Sequence, residues 1–260
     1  MTTTDVNVQF VVPWTARTGR SVCEQILRDP LTVNTGTSDK FVGEASWFIS
    51  HAWKYPFLSV VEAINLFFSE RKRINLMHAD EDPIVWFDLF SNSQHNTGER
   101  PFEWWETTFI AAIKKMRNVV MVCIPWDDSV TLKRAWCVFE VYAAKRTNSQ
   151  FHIAMTRAER DRFAQDMVDT KNTKPAQMMV KISIDKCESF KPTDRENIFQ
   201  VIQSQLNING HGGISRADSI IKDAMRTWMI ETLGLLDQTT NNPHHRLVYV
   251  YRMGHFYAIA

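Results

Sequence analysis

Three short stretches of this chain carry side chains that could work together chemically. Ser50, His51 and Trp53 follow one apolar stretch, Asp88 and Phe90 close another, and Arg134, Trp136, Cys137 and Glu140 fall within a third. On a helix, Trp136 and Glu140 stand four apart and share one face, with Cys137 three positions before the carboxylate. A carboxylate bordering an apolar stripe is partly stripped of water. That raises its proton affinity and strengthens its contact with any positive charge developing beside it.

Each residue also has a structural reading. A glutamate on a helix flank is usually solvated or paired, and Trp136 and Cys137 suit the core of a sheet-covering helix. Asp88 could cap the loop that follows it. His51 fits either a hydrogen-bonded strand end or a pocket wall. The remaining chemistry-bearing residues are less suggestive: His51, His78, His95 and His152 lack metal-ligand spacing, and His244-His245 lies in the tail, so no metal site is expected. Cys137 has no base beside it in sequence, which makes a cysteine hydrolase a poor reading.

The elements that must hold these residues follow from apolar periodicity. Ala45 to Ser50 reads as a buried strand, and Phe57, Val60, Val61, Ile64, Phe67 and Phe68 recur at helical spacing after it. Ile84 to Phe90 reads as a second strand, followed by a helix through Phe102, Trp105, Phe109, Ile113 and Met116. Val119 to Ile124 is apolar on both faces, as in a parallel sheet covered on both sides, and Leu132, Ala135, Trp136, Phe139 and Ala143 mark a third helix. Phe151 to Met155 predicts a fourth strand, and Thr156 to Glu159 a capping box opening a helix through Phe163 and Met167. The alternation of Val180, Ile182 and Ile184 within Met178 to Ile184 predicts a fifth, edge strand. Thr193 to Glu196 reads as another capping box, before a helix through Ile198, Val201 and Ile202.

Five such units predict a three-layer, flavodoxin-like, doubly wound parallel five-stranded sheet. Ligands in these sheets sit at the carboxyl ends of the strands, where strand order reverses. Functional residues are therefore expected just after Ile49, Phe87 and Ile124. Residues 1–40 read as an N-terminal extension, 41–206 as the α/β domain, and 207–260 as a C-terminal helix and tail. In that last part a hinge over 207–213 precedes a helix capped by Ser215 to Asp218 and stopped near Gly234, and Leu247 to Tyr251 alternates like a strand.

Composition removes several classes. Thirty basic against 29 acidic residues leave a net charge of +1, so no bulk field recruits nucleic acid or an anionic membrane, and neither is expected as a partner. The longest apolar run, Val119 to Ile124, is far below the roughly 20 residues of a spanning helix. The start has no basic and apolar leader pattern, and the four scattered cysteines form no C-x-x-C pair; both point to reduced thiols in the cytoplasm. Neither a glycine-rich dinucleotide fingerprint nor a P-loop occurs.

Phe48-Ile49-Ser50-His51 resembles the first box of Toll/interleukin receptor (TIR) domains. Val85 to Asp88 is similar to the second TIR strand with its acidic end, and Val119 to Pro125 to the strand before the S-x-W-C-x-x-E box. Arg134-Ala135-Trp136-Cys137-Val138-Phe139-Glu140 matches that box at its Trp, Cys and Glu. The likeness runs from Phe41 to Leu206. Two departures stand out: Ala135 where the family often has a small polar residue, and an insertion from Ala158 to Gln177.

The resemblance implies that Glu140 is catalytic and that NAD+ is the substrate, with no further cofactor. Cleavage of its nicotinamide-ribose bond would give nicotinamide with ADP-ribose or cyclic ADP-ribose. It also implies homotypic self-association, in which Ser91 to Pro101 corresponds to the family's assembly loop. Ser50, His51, Trp53, Asp88, Phe90, Arg134 and Trp136 become the expected substrate-binding set, with an aromatic face for nicotinamide. The same resemblance admits a second reading, a non-catalytic adaptor that signals by assembly.

Overall fold

The computed structural model describes residues 1–28, 41–79, 82–95, 102–206 and 212–258. Four strands form one parallel sheet: β1 (Trp47–Ser50), β2 (Val85–Phe87), β3 (Asn118–Val122) and β4 (Gln150–Ala154), in the order β2-β1-β3-β4. Ile49 registers with Phe87 on one side and Val120 on the other. The chain steps outward from β1 to β2 and then returns to β1's opposite side for β3, so strand order reverses at the ends of β1 and β3. A ligand crevice belongs there in such a sheet.

Helices follow in chain order: the short turns α1 (Thr3–Val6), α2 (Val12–Thr15) and α3 (Val22–Arg28), then α4 (Phe57–Arg73), the single turn α5 (Asp88–Ser91) and α6 (Phe102–Met116). After these come α7 (Ala135–Arg146), α8 (Arg157–Val168), α9 (Lys174–Lys181), α10 (Pro192–Leu206), α11 (Gly213–Thr239) and α12 (Pro243–Ala258). Strand alternation sorts the core into two layers. Trp47, Ile49, Val120 and Val122 meet Val60, Ala63 and Phe68 of α4 on one face. On the other, Phe48, Val119, Met121 and Ile153 meet Ile113, Phe139, Ile198 and Met225 from α6, α7, α10 and α11. Among the described residues no helix is long and apolar enough to cross a membrane.

Several expectations are corrected. The sheet has four strands among the described residues, not five: Met178 lies in helix α9, which Lys174 and Pro175 open, and Ile184 in a 3-10 turn. Val180 is exposed in the last turn of α9, whereas Ile182 and Ile184 lie beyond the helix end and are buried, so the three do not line one face of a strand. The second strand ends at Phe87, and Asp88, Leu89 and Phe90 turn into α5. At Thr156 only half the capping box forms: its hydroxyl accepts from Glu159 N–H, whereas the Glu159 carboxylate accepts from Trp126 N–H at 2.8 Å. Helix α10 starts at Pro192, which places Thr193 within its first turn rather than at its cap.

Helix α11 starts at Gly213, so Ser215 lies within it, and it continues through Gly234 to Thr239. One interior glycine costs about 1 kcal/mol, which the burial of Trp228, Met229 and Leu233 outweighs. The strand-like tail is helix α12, in which Val248, Arg252 and Phe256 are buried at four-residue intervals. Residues 29–40 of the N-terminal extension and 207–211 of the expected hinge lie outside the described residues.

Candidate functional site

Helix α7 is apolar nearly all round, and every residue from Cys137 to Ala144 is buried. Such a helix fits only inside a layer, and α7 is packed among β3, β4, α6, α10 and α11. Glu140 is the one ionisable carboxylate in that buried run, at 8% exposure. Its Oε2 has no hydrogen-bond partner, and no cation among the described residues offsets its charge. Burial pushes its carboxyl up to about 8; the nearby Ser50 hydroxyl opposes the rise and the negative Asp88 adds to it. Glu140 is therefore mostly protonated at neutral pH until something positive arrives.

The end of β1 supplies the next two residues. Ser50 and His51 are buried, and among the described residues neither Ser50 Oγ nor His51 Nε2 has a hydrogen-bond partner. Ser50 Oγ stands close to the Glu140 carboxylate without closing a hydrogen bond of good geometry. The His51 ring stacks on Phe87 at 4.5 Å and 17°. Burial lowers its proton affinity against the pull of Asp88, whose Oδ1 is 3.7 Å from Nδ1, so the imidazole stays neutral.

Asp88, the first residue after β2, is gripped from two sides. Trp53 Nε1 donates to Oδ2 at 2.6 Å and Leu89 N–H donates to Oδ1 at 2.7 Å. Asp88 is the first residue of α5 rather than its cap, and of the backbone amides among the described residues its carboxylate holds only the next one. Cys137 Sγ lies 3.6 Å from His51 O, and burial drives its thiol well above the usual range, which leaves it a packing group.

Ser50, His51, Trp53, Asp88 and Glu140 therefore converge below the ends of β1 and β2. The other expected residues do not join them as closely. Phe90 packs on Phe57 and Phe87 at 6.2 and 5.6 Å. Trp136 lies among Phe102, Phe109 and Phe139, and its Nε1 donates to Asp194 of α10 at 3.1 Å. Arg134 caps α7 through its backbone, beside Glu188. Of the expected assembly loop, 96–101 lie outside the described residues.

Two supports of this site escape a reading of the sequence alone. The first residues lie over the loop after β1: Thr3 N–H donates to Tyr55 O, Thr4 N–H to Trp53 O, and Phe57 N–H to Met1 O. Further along, Thr15 Oγ1 meets His95 Nε2 at 2.8 Å, joining the same segment to the chain after α5. A signal was available, since Thr2 and Asp5 form a reciprocal capping box. The second support is Tyr55, whose hydroxyl accepts from Ile124 N–H at 3.1 Å and meets Ser129 Oγ at 3.0 Å, tying the loop after β1 to the loop after β3. No pattern in sequence marks a contact spanning 74 positions.

Among the described residues no three His, Cys, Asp or Glu side chains converge as a metal-ligand group. The chain matches no known protein family, no curated protein and no solved structure.

Proposed function

We propose that this chain is a cytoplasmic, TIR-like NAD+ nucleosidase in which Glu140 stabilises the sugar cation formed as nicotinamide leaves. The observation that carries the reading is the Glu140 carboxylate, buried beside the Ser50 hydroxyl with an unpartnered oxygen and no counter-cation among the described residues. Burying such a group is costly unless something satisfies it. A cationic substrate with ribose hydroxyls would supply both the charge and the hydrogen bonds.

In the reaction the bond from ribose C1′ to the pyridinium nitrogen breaks, and its electron pair leaves with nicotinamide as a neutral molecule. No acid is needed for the leaving group, so one carboxylate can suffice where ordinary glycosidases use two. Glu140, ionised by the approach of the pyridinium, faces the oxocarbenium-like carbon and its hydroxyls. Water then adds to C1′ and loses a proton, giving ADP-ribose; attack by the adenine ring in its place gives the cyclic product. Trp53 holds Asp88, and the negative Asp88 favours cationic character in the same cluster. Homotypic assembly through Ser91 to Pro101, as the resemblance implies, would close the strand-end site around the dinucleotide.

One observation favours a second reading, a non-catalytic TIR-like adaptor: Glu140 has only 8% exposure. Incubation of the purified chain with NAD+, with nicotinamide release measured beside Glu140→Ala, separates the two. Release that disappears in the variant supports the nucleosidase. No release at high protein concentration, where assembly is favoured, overturns it in favour of the adaptor.

A further inference from the structure

A cavity of about 100 Å³, lined by none of the residues of the Glu140 cluster, lies beside the outer edge of β4 and between α4, α8 and α11. Its origin is geometric. A fifth strand would lie about 4.8 Å from β4 and seal its edge. Helix α11, roughly 10 Å across with its side chains, cannot follow the pleat so closely. Gln150 N–H and Ala154 C=O both bond toward β3. The alternation of a parallel strand therefore turns the backbone of Ile153, a wall residue, outward.

The charged walls are incompletely matched. Arg71 lies over the rings of Trp47 and Phe67 at 5.3 and 5.2 Å, which fixes its guanidinium, and its Nε is buried without a partner. Among the described residues no carboxylate lies within ion-pair distance of it. Glu231, on α11, acts on Arg71 only through its field and makes no side-chain hydrogen bond among the described residues; burial raises its carboxyl, with Lys145 and Arg71 opposing. Arg160 and Glu70 are paired with each other. His152 Nε2 is also orphaned. Between these groups Phe67, Trp228 and Leu235 give an apolar surface.

We propose that this cavity binds a small zwitterion of the α-amino-acid class, its carboxylate on Arg71, its ammonium on Glu231 and its apolar side chain against Phe67, Trp228 and Leu235. A planar fork such as Arg71 matches a carboxylate bidentately. A dianion such as phosphate would meet the two wall carboxylates, and a simple cation the two wall arginines. One molecule carrying both charges answers both unmatched groups. Size limits the side chain: an apolar cavity of about 150 Å³ holds benzene, so the roughly 100 Å³ here excludes an aromatic side chain and leaves room for no more than a short aliphatic one.

The test titrates L-valine into the ¹⁵N-labelled full chain and follows the amides of Ile153 and Thr232. L-valine methyl ester, which lacks the carboxylate, and N-acetyl-L-valine, which lacks the ammonium, are run in parallel. The expected result is a saturable shift with L-valine and at least roughly tenfold weaker binding of each blocked compound, with similar losses for L-valine in Arg71→Met and Glu231→Gln. The blocked ligands keep the test valid if either variant fails to fold. The absence of a saturable shift with L-valine or L-alanine overturns the proposal. Equal binding of the acetylated compound overturns it in favour of a plain carboxylate site, and equal binding of the ester removes Arg71 from it.

Discussion

The strand-end cluster and the β4-edge cavity both sink ionisable side chains against the same sheet, and both leave polar atoms unpartnered, yet they handle charge in opposite ways. At the strand ends the acidic groups Glu140 and Asp88 sit with a neutral imidazole, and no cation among the described residues offsets Glu140, so burial keeps it protonated. At the sheet edge arginines and glutamates are interspersed, so each buried charge has an opposite one within reach of its field. A group held neutral by isolation responds to an arriving cation, while a mixed wall selects a ligand carrying both signs.

The sharpest way to break this contrast is Glu140→Gln, which keeps shape and removes the capacity to ionise. Nicotinamide release from NAD+ is expected to fall by about 10²–10³-fold, the usual loss when one stabilising group is taken from a developing charge. Comparable kcat in the variant would reduce the cluster to a packing feature. In the parent protein kcat/KM should rise with pH toward about 8, as Glu140 loses its proton in the free enzyme.

Stability should respond to pH with opposite signs at Glu140 and at His152. Glu140 goes from 4.5 in the unfolded chain to about 8 when folded. Between these values the folded state holds the extra proton, so stability falls as pH rises through that window. His152 runs the other way: burial, with Arg71 and Lys145, lowers it from 6.5 to about 4, and stability is lost as pH falls through that window. Each limb amounts to a few kcal/mol at most, because a tenfold change in proton affinity is worth about 1.4 kcal/mol. Urea denaturation across pH should show Glu140→Gln flattening the alkaline limb and His152→Gln the acid one, with the raised Glu231 keeping some alkaline slope. Parallel curves for the parent and both variants would break the assignment.

The strand-end cluster was readable because its residues adjoin apolar strands with strong periodicity. Ser50, His51 and Asp88 were expected at strand ends and lie there, and Glu140 was read from helical spacing. The edge cavity was not readable, since Arg71, His152 and Glu231 come from separate elements and meet only once α11 lies beside β4. The errors share a cause: Val180, Gly234 and the Leu247 to Tyr251 stretch each present a local pattern that burial elsewhere on the same helix overrules.

Within the strand-end cluster, Trp53→Phe isolates the tether on Asp88. It keeps the aromatic bulk and loses the 2.6 Å hydrogen bond. Asp88 is 28% exposed, so water replaces part of that bond, and the expected cost is about 1 kcal/mol in stability. A loss of the same order, up to roughly tenfold, is expected in kcat/KM for NAD+ cleavage. Destabilisation with kcat/KM intact would assign Trp53 and Asp88 to the fold alone.

The smallest effect tests why the two regions differ at all. The cavity exists because β4's outer edge is flanked by α11, whereas a fifth strand over residues 178–184 would have closed it. In that strand Val180, Ile182 and Ile184 would share one face, and a charge at any of them would be costly. Val180, in α9, is 78% exposed, while Ile182 and Ile184, beyond the end of that helix, are buried at 4% and 1%. Val180→Lys should therefore change unfolding free energy by no more than about 0.5 kcal/mol, as surface substitutions do. A loss of several kcal/mol in urea denaturation would put Val180 in a paired strand and remove the geometric origin of the cavity.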